Sequence, residues 1–264
     1  MPQINRIRVN NVKYNFGTQY YDDFMMRFHC RNTIYDLANG GGKSLLMLLL
    51  LQNVIPNCTL DEKQPVEKLF RPGGGNTVIH SLIEWKLDTA NNDGYKYMTT
   101  GFCARKAKDT EADGTEADGI SGRFSAAEEA PAGRDNASVE YFNYCIFYRE
   151  FGENDIKNLP LTKNGERITY NGLKQYLREL EHNDFHVSVK IFDRKGEYQS
   201  FISKYGLYES EWEIIRGINK TEGHVRTYFE SHYRTTRKVV EDLLIEEIIQ
   251  KAFMARTSEQ TENG

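Results

Sequence analysis

The sequence predicts an α/β fold, and three features near its N-terminus support this class. Two segments, Ile4 to Val12 and Phe24 to Cys30, mix large apolar side chains with polar ones, as half-buried strands do. Three consecutive glycines come after them. The apolar segment from about Gly42 to Val54 then predicts a helix, which Pro56 ends. Strand, glycine turn and helix in this order are typical of an α/β unit.

Later segments extend the predicted sheet and add helices. Further strands are predicted at Thr77 to Leu87, Tyr95 to Cys103, Val139 to Tyr148 and Val187 to Asp193. Helices are predicted at Tyr170 to Glu181, Tyr198 to Tyr205, Glu209 to Ile218 and Val225 to Tyr233. From about Thr235, apolar residues recur three and four positions apart. This spacing predicts a long helix whose apolar stripe either begins a coiled coil or packs on the domain core.

Residues 104–138 differ in composition from the rest of the chain. Thr110 to Gly119 is an acidic near-repeat, and Ala, Gly, Glu and Asp dominate the remainder of the segment. Such a segment cannot bury enough apolar surface to offset its ordering entropy, so we predict a disordered acidic insertion in a hairpin. We expect residues 1–235 to form one domain, and 236–264 to hold the start of a coiled-coil helix and a frayed tail.

The bulk composition restricts the class of protein. The 264 residues carry a net charge of −4, which does not favour a basic protein that coats DNA. The four cysteines form no C-x-x-C pair, so neither a zinc site nor a disulfide framework is expected. The longest apolar stretch, Leu45 to Leu51, is too short to span a bilayer, and no secretory signal opens the chain. We therefore expect a cytoplasmic protein that does not bind membranes.

The glycine turn carries the chemistry of a P-loop. Glycines allow consecutive backbone N–H groups to point at phosphate oxygens, a lysine reaches the β and γ phosphates, and a hydroxyl binds Mg²⁺. The helix that begins there adds the positive end of its dipole. We therefore predict a site for ATP and Mg²⁺, with Ser44 as a metal ligand. The predicted site residues are Asn39, Gly40, Gly41, Gly42, Lys43, Ser44 and Leu45. The strict motif begins with a glycine, where this chain has Leu37.

A P-loop needs an acidic residue to orient the attacking water, and no clear candidate follows an apolar strand. Glu84 and Asp193 both lie in alternating segments, where solvent-facing strand residues are expected. A self-contained kinase or nucleotidase would have to use one of them. An alternative of another class is an interaction module that binds ATP without hydrolysing it.

Leu37 to Ser44 resembles the N-G-x-G-K-S nucleotide loop of ABC-type ATPases of the SMC class, which includes the MukB, MksF and JetC-like condensins of bacteria. The resemblance implies a P-loop NTPase of the ABC/SMC head type, with a mixed sheet around the P-loop helix. A C-terminal helical part would lead to a coiled coil. Leu69 to Gly75 is similar to the family's arginine- and glycine-containing loop, which implies that Arg71 approaches nucleotide or DNA. Asn219 lies roughly where the family has its Q-loop, which implies a ligand on the magnesium side.

The same resemblance implies how the protein works. In SMC proteins the N-terminal segment holds the P-loop, and a C-terminal segment brings the signature motif and the catalytic acid. The expected partners are that C-terminal head segment, a second head, a kleisin-type subunit and DNA. The implied role is chromosome organisation, repair or defence against foreign DNA, with little activity expected from this chain alone.

Overall fold

The computed structural model of the chain describes residues 2–14, 17–60, 65–72, 76–88, 94–107, 139–220, 225–233, 235–245, 248–249 and 252. Most of the predicted acidic insertion, residues 108–138, lies outside the described residues. So do Gly73 to Gly75 and the predicted tail from residue 253 onward.

Eight strands form two sheets among the described residues. The strands are β1 (Gln3–Tyr14), β2 (Gln19–Arg27), β3 (Ile79–Lys86), β4 (Tyr97–Lys106), β5 (Val139–Tyr148), β6 (Thr162–Lys163), β7 (Glu166–Arg167) and β8 (Val187–Phe192). β6 and β7 pair with each other as a small hairpin, and the other six strands form the main sheet. The hairpin was not predicted from the sequence.

Six α-helices accompany the strands in the same part of the chain. They are α1 (Lys43–Leu51), α2 (Tyr170–Asn183), α3 (Lys195–Ser203), α4 (Glu209–Lys220), α5 (Val225–His232) and α6 (Thr236–Lys238). A 3₁₀ turn covers Val66–Leu69, and a π-helical segment, Val239–Ile245, continues α6. The structure therefore confirms the α/β class that the sequence predicts.

The main sheet has the strand order β2-β1-β3-β4-β5-β8, and every described pair in it is antiparallel. The predicted mixed sheet is therefore wrong for the described strands. Helix α1 does connect two strands of the same direction, β2 and β3. However, β1 lies between them and runs opposite to both, so no two neighbours among the described strands are parallel.

Both faces of the main sheet are covered. Helices α1, α3 and α4 pack on one face, where Trp85 of β3 contacts the edge of Trp212 of α4. Helix α2 and the segment 156–161 cover the other face, against side chains such as Leu82 and Phe142. Because a strand between two covered faces buries both sets of its side chains, seven of the eight residues of β3 are buried.

Helix α1 is apolar on nearly every side. Five of its nine residues are buried leucines, and their burial contributes on the order of 10 kcal/mol before conformational entropy is subtracted. The helix ends three residues earlier than predicted. After Leu51, the side chain of Gln52 accepts a hydrogen bond from the Asn57 N–H and donates to the Cys58 carbonyl, which folds the chain into a turn.

A buried ionic network lies on the α2 face of the sheet. Glu84 is fully buried and accepts hydrogen bonds from Asn5, Arg6 and the Tyr148 hydroxyl. Arg6 also pairs with Asp155, at 3.1 Å. The sequence-based expectation that Glu84 faces solvent is therefore wrong, because the alternating pattern does not reveal that segment 151–161 covers this face. A buried carboxylate is tolerated here because the fold supplies these partners.

His80 is a buried titratable group on the same face. Burial, followed by the nearby positive charge of Arg8, lowers the pKa of His80 to about 3, and Asp23 opposes this only weakly. In the unfolded chain a histidine titrates near 6.5. Between these two values the unfolded chain binds the extra proton and the folded chain does not. The contribution of neutral His80 to the free energy of unfolding is therefore present above pH 6.5 and is lost as the pH falls toward 3.

We predict that His80→Gln flattens the acid side of the stability profile. Between about pH 7.5 and about pH 5.5, the wild type should lose about 1 kcal/mol more unfolding free energy than His80→Gln. Urea denaturation at both pH values measures this difference. His186→Gln, at an exposed position, is the control and should follow the wild type. Equal pH slopes for the wild type and His80→Gln would contradict the assignment.

Candidate nucleotide-binding site

The predicted phosphate loop lies between β2 and α1, after an irregular segment. Residues 32–38 form neither helix nor strand, whereas the sequence predicts a strand that runs to Cys30 and a tight turn. Tyr35 anchors this segment to the end of β2, since its hydroxyl donates to the Arg27 carbonyl and accepts from the Arg27 N–H. Ile34, next to it, is 96% exposed.

The backbone geometry explains why each of the three loop positions holds a glycine. Gly40 and Gly42 have φ angles of 82° and 79°, in the left-handed region that L side chains rarely adopt. A Cβ on Gly41 would lie 2.8 Å from the carbonyl oxygen of Ala38. Larger residues at these positions would therefore change the path of the loop.

Backbone N–H groups at the start of α1 are available to an anion. Leu46 N–H donates to the Gly42 carbonyl, and the N–H groups before it belong to the helix's first turn, where no intrahelical acceptor exists. The N-cap residue is Gly42, which has no side chain to cap this end of the helix. The N–H of Gly41 differs, since it donates to the Ala38 carbonyl at 2.9 Å. This arrangement suits phosphate oxygens near the N-terminus of α1.

The side chains of the motif divide into exposed and buried ones. Asn39, Lys43 and Ser44 are exposed, so an ammonium and a hydroxyl can meet a phosphate and its Mg²⁺. Leu45, which was also predicted to belong to the site, packs its side chain in the core. Only the backbone N–H of Leu45 is therefore available to a ligand.

Tyr21 of β2, which the sequence analysis did not identify as a site residue, contacts the backbone of the loop. The Tyr21 hydroxyl donates to the carbonyl oxygen of Gly41 at 2.5 Å. The Tyr21 ring stacks on Tyr14 and Phe24, with centroids 4.2 and 4.7 Å away. Burial, followed by proximity to Tyr14, raises the pKa of Tyr21. The sequence signal is limited to the density of aromatics in β1 and β2, which by itself indicates core packing.

Arg71 contacts the neighbours of Tyr21 in β2 rather than the loop. It donates to the carboxylate of Asp22, and its guanidinium lies 4.1 Å above the ring of Tyr20. Arg167 donates to the same carboxylate oxygen at 3.1 Å. Because Tyr20 and Asp22 alternate with Tyr21 along the strand, they face away from Gly41. A role of Arg71 toward nucleotide would require its release from Asp22.

Asn219 lies in α4, which packs on β3 through Trp212 and contacts the segment after α1 through Arg216. Its amide donates to the Ile215 carbonyl of its own helix. One turn earlier, Arg216 donates to the carbonyl of Thr59, beyond the C-terminal end of α1. Ser44 lies at the opposite end of that helix. The described contacts therefore do not bring Asn219 and Ser44 together, and the magnesium role of Asn219 stays a prediction.

The two candidate catalytic acids are both engaged elsewhere. Glu84 is held in the buried network with Arg6 and Tyr148. Asp193 is an exposed residue that pairs with Lys174 of α2, on the face of the sheet opposite α1. Neither carboxylate is placed to orient a water at the phosphate loop. Among the described residues, no group of three His, Cys, Asp or Glu side chains could hold a metal ion.

No protein-family model and no curated protein matches the chain. The interpretation of the site therefore depends on its own geometry. Left-handed glycines, helix N–H groups without intrahelical acceptors and the accessible side chains of Lys43 and Ser44 fit a polyphosphate. The hydroxyl of Ser44 fits as one Mg²⁺ ligand, with the nucleotide supplying others.

We predict that Gly41→Ala weakens polyphosphate binding by more than about tenfold, because the added methyl group collides with a backbone oxygen that cannot move freely. Calorimetric titration with tripolyphosphate and with MgATP measures the effect. Gly196→Ala is the matched control, since a Cβ there meets nothing within 4 Å. Unchanged affinity in Gly41→Ala would show that the anion binds elsewhere.

Proposed function

We propose that the chain is the ATP-binding N-terminal half of an SMC-like ATPase head, which acts on DNA once a C-terminal head segment completes it. The observation that carries the proposal is a glycine loop whose geometry suits phosphate binding. The two candidate catalytic acids of the same fold are held in ion pairs away from this loop. ATP and Mg²⁺ are the proposed ligands, and the cytoplasm is the proposed location.

The loop itself supports ATP as the ligand. A lysine and a hydroxyl residue are the first two residues of α1, directly after the left-handed Gly42. Lys43 can therefore reach terminal phosphates while Ser44 faces their metal ion. The helix dipole adds a favourable interaction with negative charge at this end.

The environment of the two acids disfavours a self-contained enzyme. Moving Glu84 to the loop would leave Arg6 without its main partner in a buried site, which is strongly destabilising. Asp193 belongs to the opposite face of the sheet. A kinase or nucleotidase built on either residue would therefore need a different structure.

Exposed apolar residues support the proposal that further segments complete this head. Ile34 is exposed in the segment that leads to the loop, and Val240, Leu244, Ile245, Ile248 and Ile249 are exposed along the C-terminal helical segment. These residues do not pack on the described core, so the stripe is open to a partner, although Val239–Ile245 is π-helical and not the α-helix that a coiled coil requires. A C-terminal head segment and a returning helical arm are partners that would cover them.

The remaining partners are those that the SMC resemblance implies. They are a second head that sandwiches ATP, a kleisin-type subunit and DNA, in chromosome organisation, repair or defence. Arg71 is the residue of this chain proposed to meet DNA or nucleotide. Among the described residues, no helix combines the length and apolarity that crossing a membrane requires.

We predict that Lys43→Ala lowers the affinity for MgATP by about 10- to 100-fold, because it removes a charge-assisted contact with the terminal phosphates. The fold should be preserved, since the Lys43 side chain is not part of the buried core. Fluorescence titration with a labelled ATP analogue measures the affinity. Lys204→Ala, at an exposed position after α3, is the charge-matched control and should bind like the wild type. Equal affinity of all three proteins would refute ATP binding at this loop.

A further inference from the structure

We propose that Tyr21 is a positioning residue which presets the phosphate loop for polyphosphate before any ligand arrives. The proposal rests on the proposed function, because it concerns the same loop. It assigns a role in ligand recognition to a side chain that lies outside the loop, in the neighbouring strand β2.

The contact is specific to one backbone oxygen. The Tyr21 hydroxyl donates to Gly41 O, and the ring stacks with those of Tyr14 and Phe24. A Cβ on Gly42 would lie 3.3 Å from both Tyr14 and Tyr21, so the loop rests directly on these two rings. The hydroxyl is therefore held in place by stacking, and it in turn holds the Gly41 carbonyl.

Fixing this carbonyl also fixes the next N–H. The chain has no cis peptide bond in its described part, and in a trans peptide the C=O and N–H groups point in opposite directions. With Gly41 O turned toward the buried ring of Tyr21, the N–H of Gly42 turns away from the core. The side chains of the next two residues, Lys43 and Ser44, are exposed to solvent.

The peptide between Gly41 and Gly42 needs a contact that fixes its orientation, because it joins two glycines. Glycine populates positive and negative φ about equally, so a Gly41–Gly42 peptide has little intrinsic preference for either orientation. If the peptide flips, a carbonyl oxygen replaces the N–H in front of the incoming phosphate and repels it. The Tyr21 hydrogen bond favours the orientation that presents a donor.

The hydrogen bond of Tyr21 can be distinguished experimentally from the packing of its ring. The stacking of Tyr21 with Tyr14 and Phe24 needs only an aromatic ring. The hydrogen bond to Gly41 needs the hydroxyl as well. Tyr21→Phe removes the second interaction and keeps the first, so the two roles can be tested independently.

The test compares the wild type, Tyr21→Phe and Tyr14→Phe by calorimetric titration with MgATP and with tripolyphosphate. We expect Tyr21→Phe to weaken both ligands by a similar factor of about 3 to 10, the range of one lost hydrogen bond. Tyr14→Phe removes a hydroxyl from the same stack without touching Gly41, and should bind like the wild type. Circular dichroism confirms that all three proteins are folded at the titration temperature.

The outcomes distinguish the role of Tyr21 from the proposed function of the loop. If Tyr21→Phe binds both ligands like the wild type while Lys43→Ala does not, the loop binds ATP and the role of Tyr21 is wrong. If Tyr14→Phe weakens binding as much as Tyr21→Phe, the stack rather than the hydrogen bond positions the loop, which also overturns the inference. If the wild type binds neither ligand, the proposed function fails and the inference fails with it.

Discussion

The burial of helix α1 constrains the rest of the structure. A nine-residue helix with five buried leucines must be covered on most sides, and the sheet and α4 cover it here. Its first turn emerges beside the end of β1 and the start of β2, where Gly42 packs against Tyr14 and Tyr21. The three glycines make the sharp entry possible, and they leave the unsatisfied N–H groups of the first turn at the surface. Core packing thus leaves these N–H groups where the proposed phosphate ligand would meet them.

The same layered burial engages one candidate acid, Glu84, away from the glycine loop, and the other, Asp193, pairs with Lys174. A sheet covered on both faces buries Glu84, and burial is tolerated because Arg6, Asn5 and Tyr148 satisfy the carboxylate. A carboxylate held in this way is part of the packed fold and is not available as a catalytic acid. The exposed Ile34 and the apolar stripe after α6 show the opposite situation, since no residue that the structure describes covers their apolar surface. The proposal that another segment completes this unit rests on these features.

Much of this architecture could be predicted from the sequence, because apolar runs and glycines act locally. The glycine turn, α1 and the positions of β3, β4 and β5 can all be located from such patterns. Antiparallel pairing, the burial of Glu84 and the Tyr21–Gly41 hydrogen bond could not be predicted in this way. Each depends on which segments meet in space: β1 inserted between β2 and β3, segment 151–161 folded over the sheet, and an aromatic side chain placed under a turn twenty residues later. The predicted role of Asn219 likewise depends on where α4 packs.

Incubation of this chain with ATP tests most directly the proposal that it is a half-head without its own catalytic acid. The wild type and Lys43→Ala would be incubated with Mg²⁺ and radiolabelled ATP at concentrations that saturate the wild-type site, then quenched and separated into nucleotides. We expect the wild type to retain ATP and to release no more ADP and phosphate than Lys43→Ala does. Hydrolysis by the wild-type chain alone that disappears in Lys43→Ala would contradict this expectation, because the chain would then contain its own catalytic acid.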